Sequence, residues 1–343
     1  MSDQPLVEVE NLKVAFETRV GLLRGLQGDQ SILARAVDGV SLDIRPGEIV
    51  ALAGESGCGK TTLARTIMGL ERPREGAVRF QGQPLQFSTK ALRPFRRRVQ
   101  LVFQDPAGAL NPRQTIYESV AEGLRIHKVE GNEEELVADA LSKAGLRPPK
   151  NFFMRYPHEV SGGQRQRVVI AGALALQPDL LVADEPVSAL DASVRGEILA
   201  LLLKLRDEFG LAILVVTHDL GLAWMIADRV AVMYLGRIVE LGPAEEILTR
   251  PQHPYTQALL SVVPESKGME QIILTGEAPD PTRIPPGCRF HARCPLVTSG
   301  KAAQLGIEDR CRGEDLSLKA VTPAHEVACW AVEATGGPAP LPD

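Results

Sequence analysis

Residues 54–61 read Gly-Glu-Ser-Gly-Cys-Gly-Lys-Thr and fit the phosphate-binding pattern G-x-x-x-x-G-K-[ST] without a mismatch. The apolar run from Glu48 to Ala53 before them reads as a buried strand, and Thr62 to Met68 after them as a helix start. That strand–loop–helix context gives the pattern its meaning. Gly54, Gly57 and Gly59 let the backbone curl so that successive N–H groups converge on phosphate oxygens. A helix opening at Lys60 adds its positive end. Lys60 can reach the β- and γ-phosphates, and the Thr61 hydroxyl suits a Mg²⁺ ligand. Ser56, Cys58 and Thr62 complete the expected loop contacts. The run implies a bound nucleoside triphosphate.

The rest of the chain alternates strands with helices, which implies an α/β fold around a largely parallel sheet covered on both faces. Leu6–Glu10 and Leu12–Phe16 alternate as half-buried strands, and residues 17–35 read as a loop. Further strands are expected at 40–44, 78–80, 99–103, 180–183 and 211–216. A hairpin around Leu235-Gly236 joins 230–233 to 237–240. Amphipathic helices are expected at 133–146, 163–176 and 195–209. After Pro251 the chain becomes Pro-rich and loses periodicity. This divides it into residues 1–250, with a helical subdomain at about 105–178, and an extension at 251–343.

A formal net charge of −5 over 343 residues argues against a partner held by bulk nucleic-acid electrostatics. No apolar run approaches the roughly 18 residues that span a bilayer. The first residues lack the basic and apolar regions of a signal peptide. The expected compartment is the cytoplasm, with any membrane role exercised through a partner.

Leu180–Ala183 delivers Asp184 and Glu185 at a strand end. Asp184 suits the Mg²⁺ shell, and Glu185 suits a general base for the attacking water. His218 follows the strand ending at Thr217, at the edge where open α/β sheets bind ligands. Ser161-Gly-Gly-Gln164 opens another helix and forms a second anion site. Two such sites are not readily aimed at one phosphate within a single fold, so the economical arrangement is a dimer in which this segment covers the partner's nucleotide.

With these motifs in order over residues 6 to about 245, the chain resembles the ATP-binding subunits of ABC transporters. That resemblance implies a RecA-like core with an antiparallel β subdomain and a helical subdomain. Gly54–Thr61 matches the Walker A motif, Leu180–Asp184 Walker B and Glu185 the catalytic glutamate. Ser161, Gly162, Gly163 and Gln164 match the signature motif, with Val160 where the family usually has Leu. Gln104 matches the Q-loop glutamine, a further Mg²⁺ contact. Ser188-Ala-Leu-Asp191 matches the D-loop, His218 the switch histidine and Phe16 the adenine-stacking position.

Asn111-Pro-Arg113, Tyr156-Pro-His158, His253-Pro-Tyr-Thr256 and Gly287–Pro295 resemble the dipeptide/oligopeptide importer branch, which also includes ATPases serving nickel and glutathione import. The resemblance implies a second ATPase subunit, identical or related, two integral membrane permease subunits and an extracytoplasmic binding protein. It implies a peripheral place on the cytoplasmic face of the membrane. The segment Asp105–Arg125 is the expected contact with the permeases, and charge reversal at Arg113 or Glu118 is expected to uncouple transport from hydrolysis. A soluble ABC ATPase acting on DNA or ribosomes is the competing reading; one cassette, no sustained heptads and net negative charge weigh against it.

Cys288, Cys294, Cys311 and Cys329 are separated by five, sixteen and seventeen residues. Structural zinc sites use closer pairs, whereas iron–sulfur clusters accept wider spacings, and Cys294-Pro295 resembles the end of a ferredoxin-type run. Family resemblance favours a [4Fe–4S] cluster, with Zn²⁺ as the alternative. Its expected role is to staple a tail too poor in apolar residues for its own core, independently of the ATP site.

Overall fold

The structure is a computed structural model that describes residues 4–18, 32–188, 190–263 and 270–341. Strand β1 (Val7–Thr18) pairs antiparallel with β2 (Ile32–Ile44) and with β4 (Glu75–Phe80), and β5 (Gln83–Pro84) completes a four-stranded sheet in the order β2-β1-β4-β5. The two strands expected at 6–10 and 12–16 are one strand with a bulge. Val7 and Val9 are buried, and so are Leu12 and Val14, so the buried parity switches between them. Asn11 absorbs the extra residue with φ 43°, its N–H donating to Ser41 Oγ at 3.0 Å. Because side chains alternate with a period of two, only an inserted residue returns both apolar sets to one face. The expected loop at 17–35 is shorter at both ends, and its residues 19–31 lie outside the described residues.

The second sheet has eight strands in the order β11-β12-β10-β9-β3-β8-β7-β6. Its parallel part comprises β3 (Ile49–Ala53), β6 (Val99–Val102), β7 (Leu180–Asp184), β8 (Ala212–Thr217) and β9 (Arg229–Tyr234). All five residues of β3 and all six of β8 are buried, as expected of strands covered on both faces. The antiparallel β10 (Arg237–Pro243) closes the expected hairpin with β9. The last two strands, β11 (Lys319–Thr322) and β12 (His325–Val327), come from the extension and prolong this sheet.

Helix α1 (Lys60–Ile67) follows the phosphate loop, and α2 (Thr89–Arg98) precedes β6. Between β6 and β7 lie α3 (Ile116–His127), α4 (Glu133–Lys143) and α5 (Gly162–Leu174), whose buried faces share one core with Ile49, Val102, Leu181 and Ile213 of the sheet. Pattern reading passed over α2 and α3, although Thr115 and Glu118 form a reciprocal capping box that was present in the sequence as T-x-x-E. Helix α6 (Ala192–Phe209) ends at Gly210 in the left-handed conformation, and α7 (Leu220–Ile226) follows β8.

The extension adds α8 (Pro254–Ser261) and α9 (Trp330–Thr335). The expectation that its apolar residues are too sparse for a core is corrected. Phe290, Leu296, Ile307, Val327 and Trp330 are buried in one core with Ala51, Val230, Tyr234 and Ile247 of the sheet region. Its apolar residues are sparse along the chain but converge on a surface that β9 and β10 already present. Among the described residues no helix is long and apolar enough to cross a membrane.

Candidate functional site

Four neighbouring parallel strands end side by side: β3 in the phosphate loop, β8 at His218, β7 at Asp184-Glu185 and β6 just before Gln104. This is the carboxyl edge at which open α/β sheets hold ligands. The loop's glycines are required by close approach. A Cβ on Gly54 would lie 2.2 Å from the Met233 carbonyl oxygen and one on Gly59 2.0 Å from that of Ala36, and both have positive φ. Gly57 faces open space, with nothing within 4 Å of a built Cβ. The loop is thus packed against β9 and β2 on one side and free on the other. Lys60 is buried, and its Nζ donates to the carbonyls of Gly54 at 2.7 Å and Glu55 at 2.9 Å. Ser56 is exposed, whereas Cys58 is buried and its thiol is pushed up by that burial.

Asp184 is hydrogen-bonded to the Thr61 side chain. Burial raises its carboxyl above the usual range, the Thr61 bond opposes this, and the neighbouring Glu185 charge adds to it. A half-buried carboxylate beside a hydroxyl is a donor set that fits Mg²⁺, whose remaining ligands would be phosphate oxygens and water. Thr61, Gln104 and Asp184 line one cavity of about 590 Å³ between α1 and residues 101–109.

Glu185 is bracketed. Gln104 Nε2 donates to its Oε2 at 2.8 Å, and His218 Nδ1 lies 2.9 Å from its Oε1. In the tautomer protonated at Nδ1, the His218 ring donates to that oxygen. Glu185 has φ 47°, in the left-handed region, and its N–H donates to Val216 O at 2.9 Å. The Ser188 hydroxyl donates to the Glu185 carbonyl at 3.2 Å. Residues from three strand ends therefore converge on one carboxylate. Of the four-residue segment that includes Ser188 and Asp191, Ala189 lies outside the described residues.

Ser161 caps α5: its Oγ accepts from the Gln164 N–H at 3.2 Å, and the Gln164 side chain accepts from the Ser161 N–H at 3.1 Å. Gly163 is close-packed, since a Cβ there would meet Val194 Cγ1 at 2.5 Å, whereas Gly162 is exposed. Ser161–Gln164 makes none of the hydrogen bonds found at the phosphate loop and is absent from the cavity lining. Phe16 lies on β1, paired with Ala34, and is 42 % exposed. Glu118 has a role that the sequence reading overlooked: its carboxylate accepts the Thr115 N–H at 2.7 Å and caps α3. Charge reversal there would uncap a helix before it tested any docking.

Two residues of the extension reach the phosphate loop. Arg293 makes a bidentate ion pair with Glu55 at 2.7 and 3.0 Å, and the Tyr255 hydroxyl accepts the Glu55 N–H at 2.8 Å. This corrects the expectation that the tail is independent of the ATP site. Sequence reading singled out His253–Thr256 and Gly287–Pro295 as segments, but nothing local linked them to Glu55, a variable position of the motif.

The four tail cysteines line one small cavity with Phe290, His291 and Trp330. Burial pushes all four thiols up, Cys294 to about 12 and Cys311 to about 11, and the charge of Cys288 adds to the rise in the other three. Four thiols on one cavity fit a thiophilic group, whose positive charge would offset what burial opposes. Among the described residues, however, no three His, Cys, Asp or Glu side chains are arranged to hold a metal ion. The cavity volume of about 20 Å³ would have to widen to admit a cluster.

Comparison with known proteins agrees with this architecture. Residues 37–188 match the family model described as ABC transporter, and residues 239–300 match that described as Oligopeptide/dipeptide transporter, C-terminal region. The chain is 42 % identical over 337 residues to the oligopeptide transport ATP-binding protein AppF of Bacillus subtilis, covering 96 % of this chain and 98 % of that one. It is 41 % identical over 333 residues to a putative peptide import ATP-binding protein of Brucella ovis, with the same coverage. Among solved structures, cbiO1 of Clostridium perfringens, part of the ABC transporter complex cbiONQ, aligns with TM-score 0.62 at 30 % identity over 71 % of this chain and 91 % of that one. The cassette MJ0796, a dimer in a post-hydrolysis state with ADP and Pi, aligns with TM-score 0.60 at 30 % identity over 69 % and 98 %.

Proposed function

Because the chain belongs to the ATP-binding proteins of ABC transporters, in their oligopeptide/dipeptide branch, we propose that it hydrolyses ATP to drive import of di- or oligopeptides across the cytoplasmic membrane. The observation that carries this reading is the convergence of Gln104 and His218 on Glu185, next to a phosphate loop and Asp184. Lys60 leaves the Gly54 and Glu55 carbonyls for the β- and γ-phosphates when ATP enters. Thr61, Asp184 and Gln104 are the residues that would hold Mg²⁺, and the ion would supply positive charge to offset what develops on the phosphoryl group. Glu185 accepts a proton from the attacking water, with Gln104 and His218 fixing its two oxygens. Phe16 stacks on the adenine.

In the assembled transporter, Ser161–Gln164 completes the site of a second ATPase subunit, identical or related. MJ0796, to which the chain is similar, is itself dimeric. Two integral permease subunits and an extracytoplasmic binding protein complete the machine, and this chain sits peripherally on the cytoplasmic face. Residues 1–250 form the cassette, with 105–178 as its helical part, and 251–343 form the extension. We also propose that Cys288, Cys294, Cys311 and Cys329 hold a [4Fe–4S] cluster, with Zn²⁺ as the alternative; such a cluster would tie together three segments of the extension, since Cys288 and Cys294 share one. About four irons per chain after anaerobic purification would support it, and stoichiometric zinc in colourless protein would overturn it.

The decisive experiment is Glu185→Gln in the reconstituted complex. The amide keeps the size and one acceptor oxygen but cannot take the proton. Turnover should fall about 10²–10⁴-fold with ATP binding retained. Near-normal hydrolysis would remove Glu185 from the mechanism.

A further inference from the structure

Glu55, inside the phosphate loop, is held at each of its polar groups. Its N–H donates to the Tyr255 hydroxyl at 2.8 Å, its carbonyl accepts from Lys60 Nζ at 2.9 Å, and its carboxylate takes both Arg293 terminal nitrogens at 2.7 and 3.0 Å. Two of these three partners belong to the extension. Both are rigidly mounted. The Arg293 side chain is 9 % exposed, and its guanidinium lies over the Tyr234 ring with 5.9 Å to the centroid. Tyr255 is fully buried at the start of α8, which is capped by His253. Burial pushes the His253 ring down to about 3, so it stays neutral, and its Nδ1 accepts the Tyr255 N–H at 3.0 Å. Tyr234, Tyr255 and Phe290 pack edge to face or tilted with centroids 4.8 to 5.3 Å apart.

The same short segment carries two of the four cysteines. Cys288 and Cys294 bracket Arg289, Phe290 and Arg293, and all five residues lie within seven positions. Arg289 Nη1 donates to the carbonyl of Leu235 at 2.5 Å, and the next residue, Gly236, donates its N–H to Cys58 O of the phosphate loop at 2.8 Å. The Cys288–Cys294 segment is therefore tied to the loop by two routes, through Arg293 to Glu55 and through Arg289 to the β9–β10 turn.

We infer that Arg293 and Tyr255 are positioning residues of the ATP site, and that through them the Cys288–Cys294 segment of the extension sets the affinity of the phosphate loop for nucleotide. This rests on residues 54–61 being the ATP site. A loop held in its binding conformation avoids the ordering cost on ligand entry, so loosening Glu55 lowers affinity without removing any phosphate contact. Coupling between sites typically amounts to about 5- to 150-fold in affinity.

The test is ATP·Mg²⁺ affinity of the purified full chain, by titration calorimetry, for wild type, Arg293→Ala, Arg293→Lys, Glu55→Gln and the double variant Glu55→Gln/Arg293→Ala. Arg293→Ala should weaken binding about fivefold or more, Arg293→Lys should recover part of the loss, and the double variant should be no worse than the weaker single. Cys294→Ser should weaken ATP binding in the wild-type background and have no further effect in Arg293→Ala. Cys288→Ser, at the other end of the segment, repeats that arm should Cys294→Ser fail to fold.

Wild-type affinity in Arg293→Ala and Glu55→Gln, with circular dichroism unchanged, would overturn the inference. So would a cysteine-variant loss equal in both backgrounds, because the thiol site would then act by another route. Absence of ATP binding in the wild-type chain would instead refute the assignment of the ATP site.

Discussion

Replacing Arg289 by methionine should destabilise the chain by about 3 kcal/mol, and the structure supplies the reasoning. Arg289 and Asp38 form an ion pair with side chains only 6 % and 11 % exposed, joining the extension to β2. Burial by itself would raise the Asp38 carboxyl, but the bond to Arg289 and the charges of Arg289, Arg237 and Arg35 hold it below the usual range. Removing one partner of a buried pair costs about 3–5 kcal/mol, because the other charge stays buried. The lower end applies here, since Arg35 remains 3.7 Å from Asp38 as a partial substitute. At roughly 2.1 cal/mol/K of unfolding entropy per residue, the loss corresponds to a fall in Tm of about 4 °C for a chain of this length.

Methionine keeps much of the apolar stem, so lost packing contributes little. The control is Asp38→Leu combined with Arg289→Met, which removes both charges and should recover about 2 kcal/mol of the loss. Urea unfolding followed by tryptophan fluorescence reads both, because Trp330 lies in the extension core, and equal m-values ensure that the comparison is of stability alone. A single-variant loss below about 1 kcal/mol, or a double variant less stable than Arg289→Met, would refute the reasoning.

Three further outcomes can be measured. Gly59→Ala should abolish ATP binding, since its Cβ would sit 2.0 Å from Ala36 O at φ 109°, whereas Gly57→Ala should lose only the roughly 1–2 kcal/mol of left-handed strain; equal binding losses in calorimetry would contradict this. Ser161→Arg, altering the exposed cap of α5, should stop hydrolysis by the assembled complex while leaving nucleotide binding to the altered subunit intact; loss of that binding would refute a site completed by a second subunit. His325 lies between Glu240 at 2.8 Å and Glu246 at 3.2 Å; burial opposes its charge, but the Glu240 bond and both carboxylates outweigh burial and raise it. Its contribution to stability should be complete below the unfolded value of about pH 6.5 and be lost as pH rises through the higher folded value. His325→Gln should flatten that slope in urea midpoints, and an unchanged slope would assign it to other groups.

What the sequence by itself determined is what depends on local backbone chemistry. The phosphate loop was legible because Gly54, Gly57, Gly59, Lys60 and Thr61 must recur at set offsets between a buried strand and a helix. Asp184, Glu185 and His218 were legible because a strand end fixes where the next residue goes. The single strand β1 was misread as two because parity switches at Asn11, and a bulge announces itself only through its partner's register. Tertiary structure alone decided the grip of the extension on the ATP site. Arg293 meets Glu55 across 238 positions and Arg289 meets Asp38 across 251. The strength of a salt bridge depends on burial and geometry, neither of which leaves a period or spacing in the chain. The sparse apolar residues after Pro251 likewise look coreless along the sequence, because the surface they pack on belongs to β9 and β10.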